Sequence, residues 1–309
     1  MTGAIDKVLV TGAGGFIGQA VVRALVARGL TVIGTYRSER APDIPEVIWE
    51  RVDLVDQAAV RALLERRRPD ALVALAWRIG PDYLQSLENF RWIEYGIDLI
   101  IDFAETGGRR VVFCGSCMEY DWSREAPLVE DETPLAPSTE YGAAKAALFT
   151  AFGSLCGRLG LSGAWARPFF LYGPGESPRR LAADVILSLL EGREALCTHG
   201  RQKRDFLHVD DVGGAIVALL ASDMQGPVNI GSGTAIPLAA LIEEIGRQTG
   251  RADLVRLGAR AARPDDAPLV EASVARLTQL DWTPRHDLET GIADTIAWWR
   301  ARLNERGSQ

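Results

Sequence analysis

The chain is poor in lysine, histidine, methionine and cysteine. Of 34 basic side chains only Lys7, Lys145 and Lys203 are lysines, so a lysine inside a motif carries more weight than usual. The histidines (His199, His208, His286) are scattered without metal-ligand spacing, and no metal site is expected. No apolar run approaches the roughly 20 residues that cross a bilayer, and the N-terminal stretch MTGAIDKVLVTG lacks the shape of a signal peptide. No membrane partner is expected, and Cys114, Cys117, Cys156 and Cys197 are expected to be reduced thiols in a cytoplasmic protein. The net charge of −7 argues against a nucleic-acid partner. Apolar residues at 47% and charged residues at 24% fit a globular protein, and 309 residues suit a large α/β domain with a smaller lobe.

Short β-branched runs alternate with longer amphipathic stretches in the first half. Strands are predicted at 8–10, 31–33, 47–49, 71–75, 111–114 and 162–167, with helices at 16–28, 57–67, 84–105 and 140–159. This alternation implies βαβ units and a Rossmann-type, doubly wound parallel sheet. The second half is less regular. Helices are predicted at 180–190, 209–221, 237–248 and 288–303, and a strand runs into a turn at 229–233. The expected division is a dinucleotide-binding domain (1–169 and 204–231) and a C-terminal substrate-binding lobe (170–203 and 232–309), with a cleft between them.

The stretch Thr11 to Gly18 follows the first strand and opens the first helix. Gly12, Gly15 and Gly18 suit a tight turn against a pyrophosphate, and the N–H groups of Phe16 and Ile17 lie at the helix N-terminus that attracts the anion. The second strand ends in Tyr36-Arg37-Ser38 without an acid for the adenosine ribose. Arg37 can instead pair with a 2′-phosphate, which favours NADP(H) over NAD(H). Asp53 and Leu54 after the third strand, and Leu75 and Ala76 at the end of the fourth, are expected on the adenosine side.

Tyr141 and Lys145 stand four apart at the start of a helix, on one face. A phenol is a poor acid–base group at neutral pH, and a nearby ammonium and an oxidised nicotinamide are expected to lower its pKa. Ser116, at the end of the fifth strand, can bind the same substrate oxygen.

In order along the chain stand TGAGGFIG (11–18), FCGSCMEY (113–120), ETPLAPSTEYGAAK (132–145), RPFFLYGPG (167–175), RDFLHVDDV (204–212), VNIGSG (228–233), RPDD (263–266) and DWTP (281–284). With these motifs the chain resembles the extended short-chain dehydrogenase/reductase superfamily, in its nucleotide-sugar epimerase, dehydratase and reductase branch. The resemblance implies Ser116, Tyr141 and Lys145 as the catalytic triad, with Tyr141 and Lys145 also touching the cofactor, and a nucleoside-diphosphate sugar in the cleft. It implies diphosphate contacts at Arg204 and Arg263, a ribose contact at Asp266, and nucleotide contacts at Arg180 and Leu181. Trp77, Arg78 and Trp122, with Cys117 beside Ser116, are expected around the sugar. Phe170 stands where UDP-sugar epimerases carry an asparagine. The helices at 84–105 and 140–159 are implied as a homodimer interface.

Departures from the family pattern narrow the reaction. The dehydratases' Asp-Glu pair is Cys117 and Met118 here. The cysteine of the C3/C5 epimerising enzymes is Met118, and the histidine of GDP-fucose synthase is Gly175. Cys117, one position out, reads as a small apolar residue. Two hydride chemistries are left, 4-ketoreduction with NADPH and 4-epimerisation with bound NAD⁺. The closest pattern is that of deoxysugar 4-ketoreductases similar to CDP-abequose synthase. A non-catalytic NADP-sensing regulator is a third reading, weakened by the presence of both Tyr141 and Lys145.

Overall fold

The computed structural model describes residues 5–124, 127–263 and 266–307. Its elements begin with β1 (Lys7–Thr11), α1 (Phe16–Ala27), β2 (Thr31–Tyr36), β3 (Ile48–Arg51), α2 (Gln57–Arg67), β4 (Ala71–Ala74), α3 (Glu88–Glu105) and β5 (Arg110–Cys114). They continue with α4 (Glu140–Leu159), β6 (Ser162–Pro168), β7 (Phe170–Tyr172), α5 (Leu181–Leu190), β8 (Ala195–Leu196) and β9 (Lys203–His208). The last part holds α6 (Val209–Ala221), β10 (Gly226–Ile230), β11 (Ala235–Pro237), α7 (Leu238–Thr249), β12 (Val255–Arg256), β13 (Leu269–Val270) and α8 (Leu288–Gly307).

Seven strands form one parallel sheet in the order β10-β6-β5-β4-β1-β2-β3. Alternation along β1 sends Val8 and Val10 into the core with α1 and α6, and Leu9 into the core with α2, α3 and α4. Both faces are therefore covered, as a doubly wound sheet requires. The chain reverses its direction of travel between β1 and β4, whose ends lie side by side (Thr11 opposite Ala74). Ligands of such sheets bind at this switch point.

Local chemistry sets the helix limits. Asp56 caps α2, and Thr139 caps α4 by accepting from Gly142 N. Gly160, left-handed at φ 67°, ends α4. The predicted helix at 84–105 starts only at Glu88. A separate 3₁₀ turn covers Tyr83–Gln85, and the Asn89 amide takes the carbonyls of Tyr83 and Ser86, which draws the chain off the helical path.

A second, smaller sheet centres on β9, which pairs with β7, β11 and β13. The segment 204–208 thus lies outside the large sheet. The buried side chains of β9 find their partners in the lobe: Arg204 at Asp266, and Asp205 at the N–H groups of Ser232, Gly233 and Ala272. Helices α5, α7 and α8 enclose the lobe's own core around Ile186, Leu189, Leu241, Ile245 and Ile296.

Candidate active site

The glycine turn lies at the switch point. Gly12 has φ 68°, and a Cβ there would come within 2.9 Å of Ala76 Cα, so the ends of β1 and β4 meet only through a glycine. At Gly18 a Cβ would lie 2.1 Å from Gly12 O. Helix α1 begins at Phe16 with no side-chain cap, which suits the N–H groups of Phe16 and Ile17 to an anion. Arg37 follows β2, is exposed, and has no ion pair among the described residues. Asp53 is exposed and Leu75 packs on the core of the α1 face. Leu54, Ala76 and Trp77 line a small, partly open pocket, together with Trp92, Tyr95 and Asp98 of α3. These three α3 residues were not anticipated. Burial, followed by Glu94 and Asp102, pushes the Asp98 carboxyl up.

Ser116 ends the turn after β5. Its Oγ accepts from Met118 N at 3.2 Å, and its N–H donates to Glu119 Oε1 at 2.7 Å. The Ser116 side chain acts to lower the pKa of the Tyr141 phenol. What brings α4 so close is Gly142, where a Cβ would lie 2.2 Å from Met118 O. Lys145, one turn on, is buried. Its Nζ donates to Cys114 O at 2.7 Å and lies 3.7 Å from the centre of the Trp77 ring.

Burial first, then Cys114, Tyr83 and Glu119, holds the Tyr141 phenol well above its ordinary pKa. Lys145 Nζ points at Cys114 O and Trp77 and lies 5.8 Å from the Tyr141 ring centre. Lys145 itself is pushed down to about 8 by burial, against the raising influence of Cys114 and Glu119.

Glu119 is locked away. It is wholly buried with Arg167 (2.7 Å) and also accepts from Trp165 Nε1. The Cys117 thiol lies in a small core with Tyr120, Leu128, Phe169, Val270 and Ala272, against which Trp122 and Phe170 pack. Cys114 and Cys117 have a CxxC spacing, which the sequence reading overlooks. Both thiols are free, buried and pushed up by that burial, which is the reverse of a redox-active thiolate.

On the lobe side, Arg204 is buried and ion-paired with Asp266, and it donates to the carbonyls of Lys203 and Ala267. Phe170 and Trp122 flank its guanidinium at 5.3 and 5.9 Å. Two residues expected at different parts of a nucleotide therefore meet each other. Arg263 is exposed, and its carbonyl accepts from Asp266 N. The RPDD residues 264 and 265 lie outside the described residues. Arg180 precedes α5, which starts at Leu181, and donates to the Tyr83 hydroxyl at 2.9 Å. Tyr83 in turn meets the Tyr141 ring edge-on at 5.1 Å. Arg78 is engaged within its own loop by Glu88, Asp82 and Ser86. Tyr83 was missed because nothing in its local sequence marks it. His208, Asp211 and His286 come together as metal-type donors, but Asp211 already accepts from the N–H groups of Arg285 and His286. The trio ties the approach to α8 onto α6.

No helix among the described residues is long and apolar enough to cross a membrane. The family model for the NAD dependent epimerase/dehydratase family matches residues 8–231. A dTDP-4-dehydro-6-deoxy-D-allose reductase of Streptomyces bikiniensis is 28% identical over 95% of this chain and 96% of its own. GDP-L-fucose synthase 1 of Arabidopsis thaliana is 27% identical over 97% and 95%. A crystal structure of UDP-glucose 4-epimerase from Thermus thermophilus, in complex with NAD, superposes with TM-score 0.85 at 25% identity, covering 95% of this chain and 99% of that one. With its parallel seven-stranded sheet, its glycine turn and the Ser116, Tyr141 and Lys145 cluster at one edge, the chain belongs to the NAD dependent epimerase/dehydratase family of extended short-chain dehydrogenases/reductases.

Proposed function

We propose that this protein reduces a nucleoside-diphosphate 4-keto-6-deoxyhexose to its 4-hydroxy sugar, with NADPH as the reductant. The observation that carries this reading is the equipment around Ser116. The phenol of Tyr141 is kept protonated by burial, and the other candidate acid–base groups, Cys117 and Glu119, are turned into the core. Such a site can deliver one proton to an oxygen. It lacks the means to remove a proton from carbon or to expel water.

The glycine turn and the N–H groups of Phe16 and Ile17 fit a dinucleotide pyrophosphate. Arg37 is assigned to the 2′-phosphate, Asp53 to the adenine amino group, and Leu54, Leu75 and Ala76 to the adenosine wall. When bound, the reduced nicotinamide supplies the hydride. Ser116 donates a hydrogen bond to the sugar carbonyl, and Tyr141 gives its proton to the oxygen as negative charge develops there. Lys145 stays a cation below about pH 8, holds the nicotinamide ribose, and offsets the charge left on Tyr141. Arg204 and Arg263 are assigned to the diphosphate, Asp266 to the ribose of the sugar nucleotide, and Arg180 and Leu181 to its base. Trp122 and Phe170 wall the sugar. The two-part division of the chain and a homodimer through α3 and α4 belong to the same reading.

The test is to mix the protein with NADPH and a panel of nucleotide-linked 4-keto-6-deoxyhexoses and follow the loss of reduced nicotinamide. Stoichiometric oxidation with one member supports the reading. Interconversion of ordinary nucleotide hexoses by tightly held NAD⁺ makes the protein a 4-epimerase instead. Tyr141→Phe is expected to lower turnover by more than about a hundredfold, with NADPH binding unchanged.

A further inference from the structure

We propose that Trp77 is a positioning residue for the acid–base pair, its indole face holding Lys145 as a cation and fixing where the ammonium points. A wall of the sugar pocket needs no contact with Lys145, yet the ring centre lies 3.7 Å from Nζ. On another side Cys114 O takes a proton of the ammonium at 2.7 Å. The groups that face Lys145 are the Cys114 thiol of β5, the Glu119–Arg167 pair, Tyr141 on its own helix, and Ser116 and Tyr83 around that phenol. Of these only Glu119 is a carboxylic acid, and Arg167 answers it at 2.7 Å. The π face of Trp77 is thus the nearest remaining surface that favours the charged form, and burial otherwise drives an amine toward neutrality.

The indole is itself held in place. Its Nε1 donates to Asn89 Oδ1 at 2.7 Å, and the buried Asn89 gives its amide protons to Tyr83 O at 2.5 Å and Ser86 O at 2.8 Å. Trp92 packs on it at 5.8 Å, and Tyr141 meets it edge-on at 6.1 Å. The loop that brings Tyr83 over the site is therefore also the clamp that orients Trp77.

The scarcity of lysine makes the test direct. Protein grown with isotopically labelled lysine gives resonances for Lys7, Lys145 and Lys203 only, and Lys7→Arg and Lys203→Arg assign them. In the unmodified protein the Lys145 side-chain signals are expected upfield, in the ring current of Trp77, titrating near pH 8. In Trp77→Leu the upfield shift disappears and the titration falls by about one pH unit. Trp77→Phe shows about half that fall. Asn89→Ala keeps the indole but unpins it, and is expected to weaken both signals, which keeps the inference testable if Trp77→Leu does not fold. In turnover, the alkaline limb of kcat moves to lower pH in Trp77→Leu. An unshifted Lys145 signal, a titration that stays or rises on loss of the indole, or a change confined to the KM of the sugar overturns the inference. The inference rests on the proposed function only in taking Lys145 to work as a cation. The titration uses no substrate, so a Lys145 signal that behaves as described, in a protein that reduces no 4-keto sugar, overturns the function and leaves the role of Trp77 standing.

Discussion

Two charged side chains are buried within reach of Ser116, and the fold treats them in opposite ways. Glu119 accepts from Ser116 N and is closed off by Arg167 and Trp165. Lys145 donates to the carbonyl of Cys114, two residues before Ser116, and has a ring and no carboxylate opposite it. A buried charge with its counter-ion is fixed, because either partner alone is strongly disfavoured. A buried charge without one sits near the balance between charged and neutral forms, where a proton moves readily. The paired side holds the turn in shape, and the unpaired side is the one that chemistry can use.

The sharpest way to break this contrast is Arg167→Met. It leaves Glu119 buried without a counter-ion, and a loss of about 3–5 kcal/mol in unfolding free energy is expected. A loss below about 1 kcal/mol in denaturant titrations would mean that the two sides do not differ. Lys145→Met should do the reverse. The folded pKa of Lys145 lies near 8, below its ordinary 10.5, so the charged form opposes folding. That penalty is full below about pH 8 and fades as pH rises toward 10.5. Removing the amine is expected to stabilise the protein at neutral pH by up to about 3 kcal/mol, with turnover lost, and the gain should shrink at alkaline pH.

The Arg204–Asp266 pair is intermediate, with the arginine 4% exposed and the carboxylate 29%. Arg204→Ala should raise the KM of the nucleotide sugar by about tenfold and that of NADPH far less. Equal effects on both would remove Arg204 from the diphosphate site. The smallest effect is expected at Arg37, an exposed cation. Arg37→Ser should weaken NADPH binding by about fivefold and leave NADH binding unchanged.

Much of the large sheet was legible because its signals are local. Helices α2, α4 and α6 have the limits that the sequence reading gave them, 57–67, 140–159 and 209–221. Tyr141 and Lys145 stood out because the chain has so few lysines. The lobe strands were not legible. β9 carries a buried arginine and a buried aspartate, whose partners, Asp266 and the 232–233 turn, come from 62 and about 27 residues away. The surroundings of the site were hidden for the same reason. Trp77 reads as a wall until Lys145, distant in sequence, arrives beneath its ring.

The hydrogen bond from Arg180 to Tyr83 has a consequence of timing. It links the start of α5 to the loop after β4, and Tyr83 lies against the ring of Tyr141. In the proposed reaction, a sugar nucleotide engaging Arg180 competes for the guanidinium that Tyr83 now holds, and the departing product returns it. Each cycle then includes a partner exchange at that arginine on arrival and another on departure. Product release sets the pace of many enzymes. Under the proposed function the step to watch is the release of the finished sugar, and loss of the Tyr83 hydroxyl should be felt there before it is felt in the hydride step.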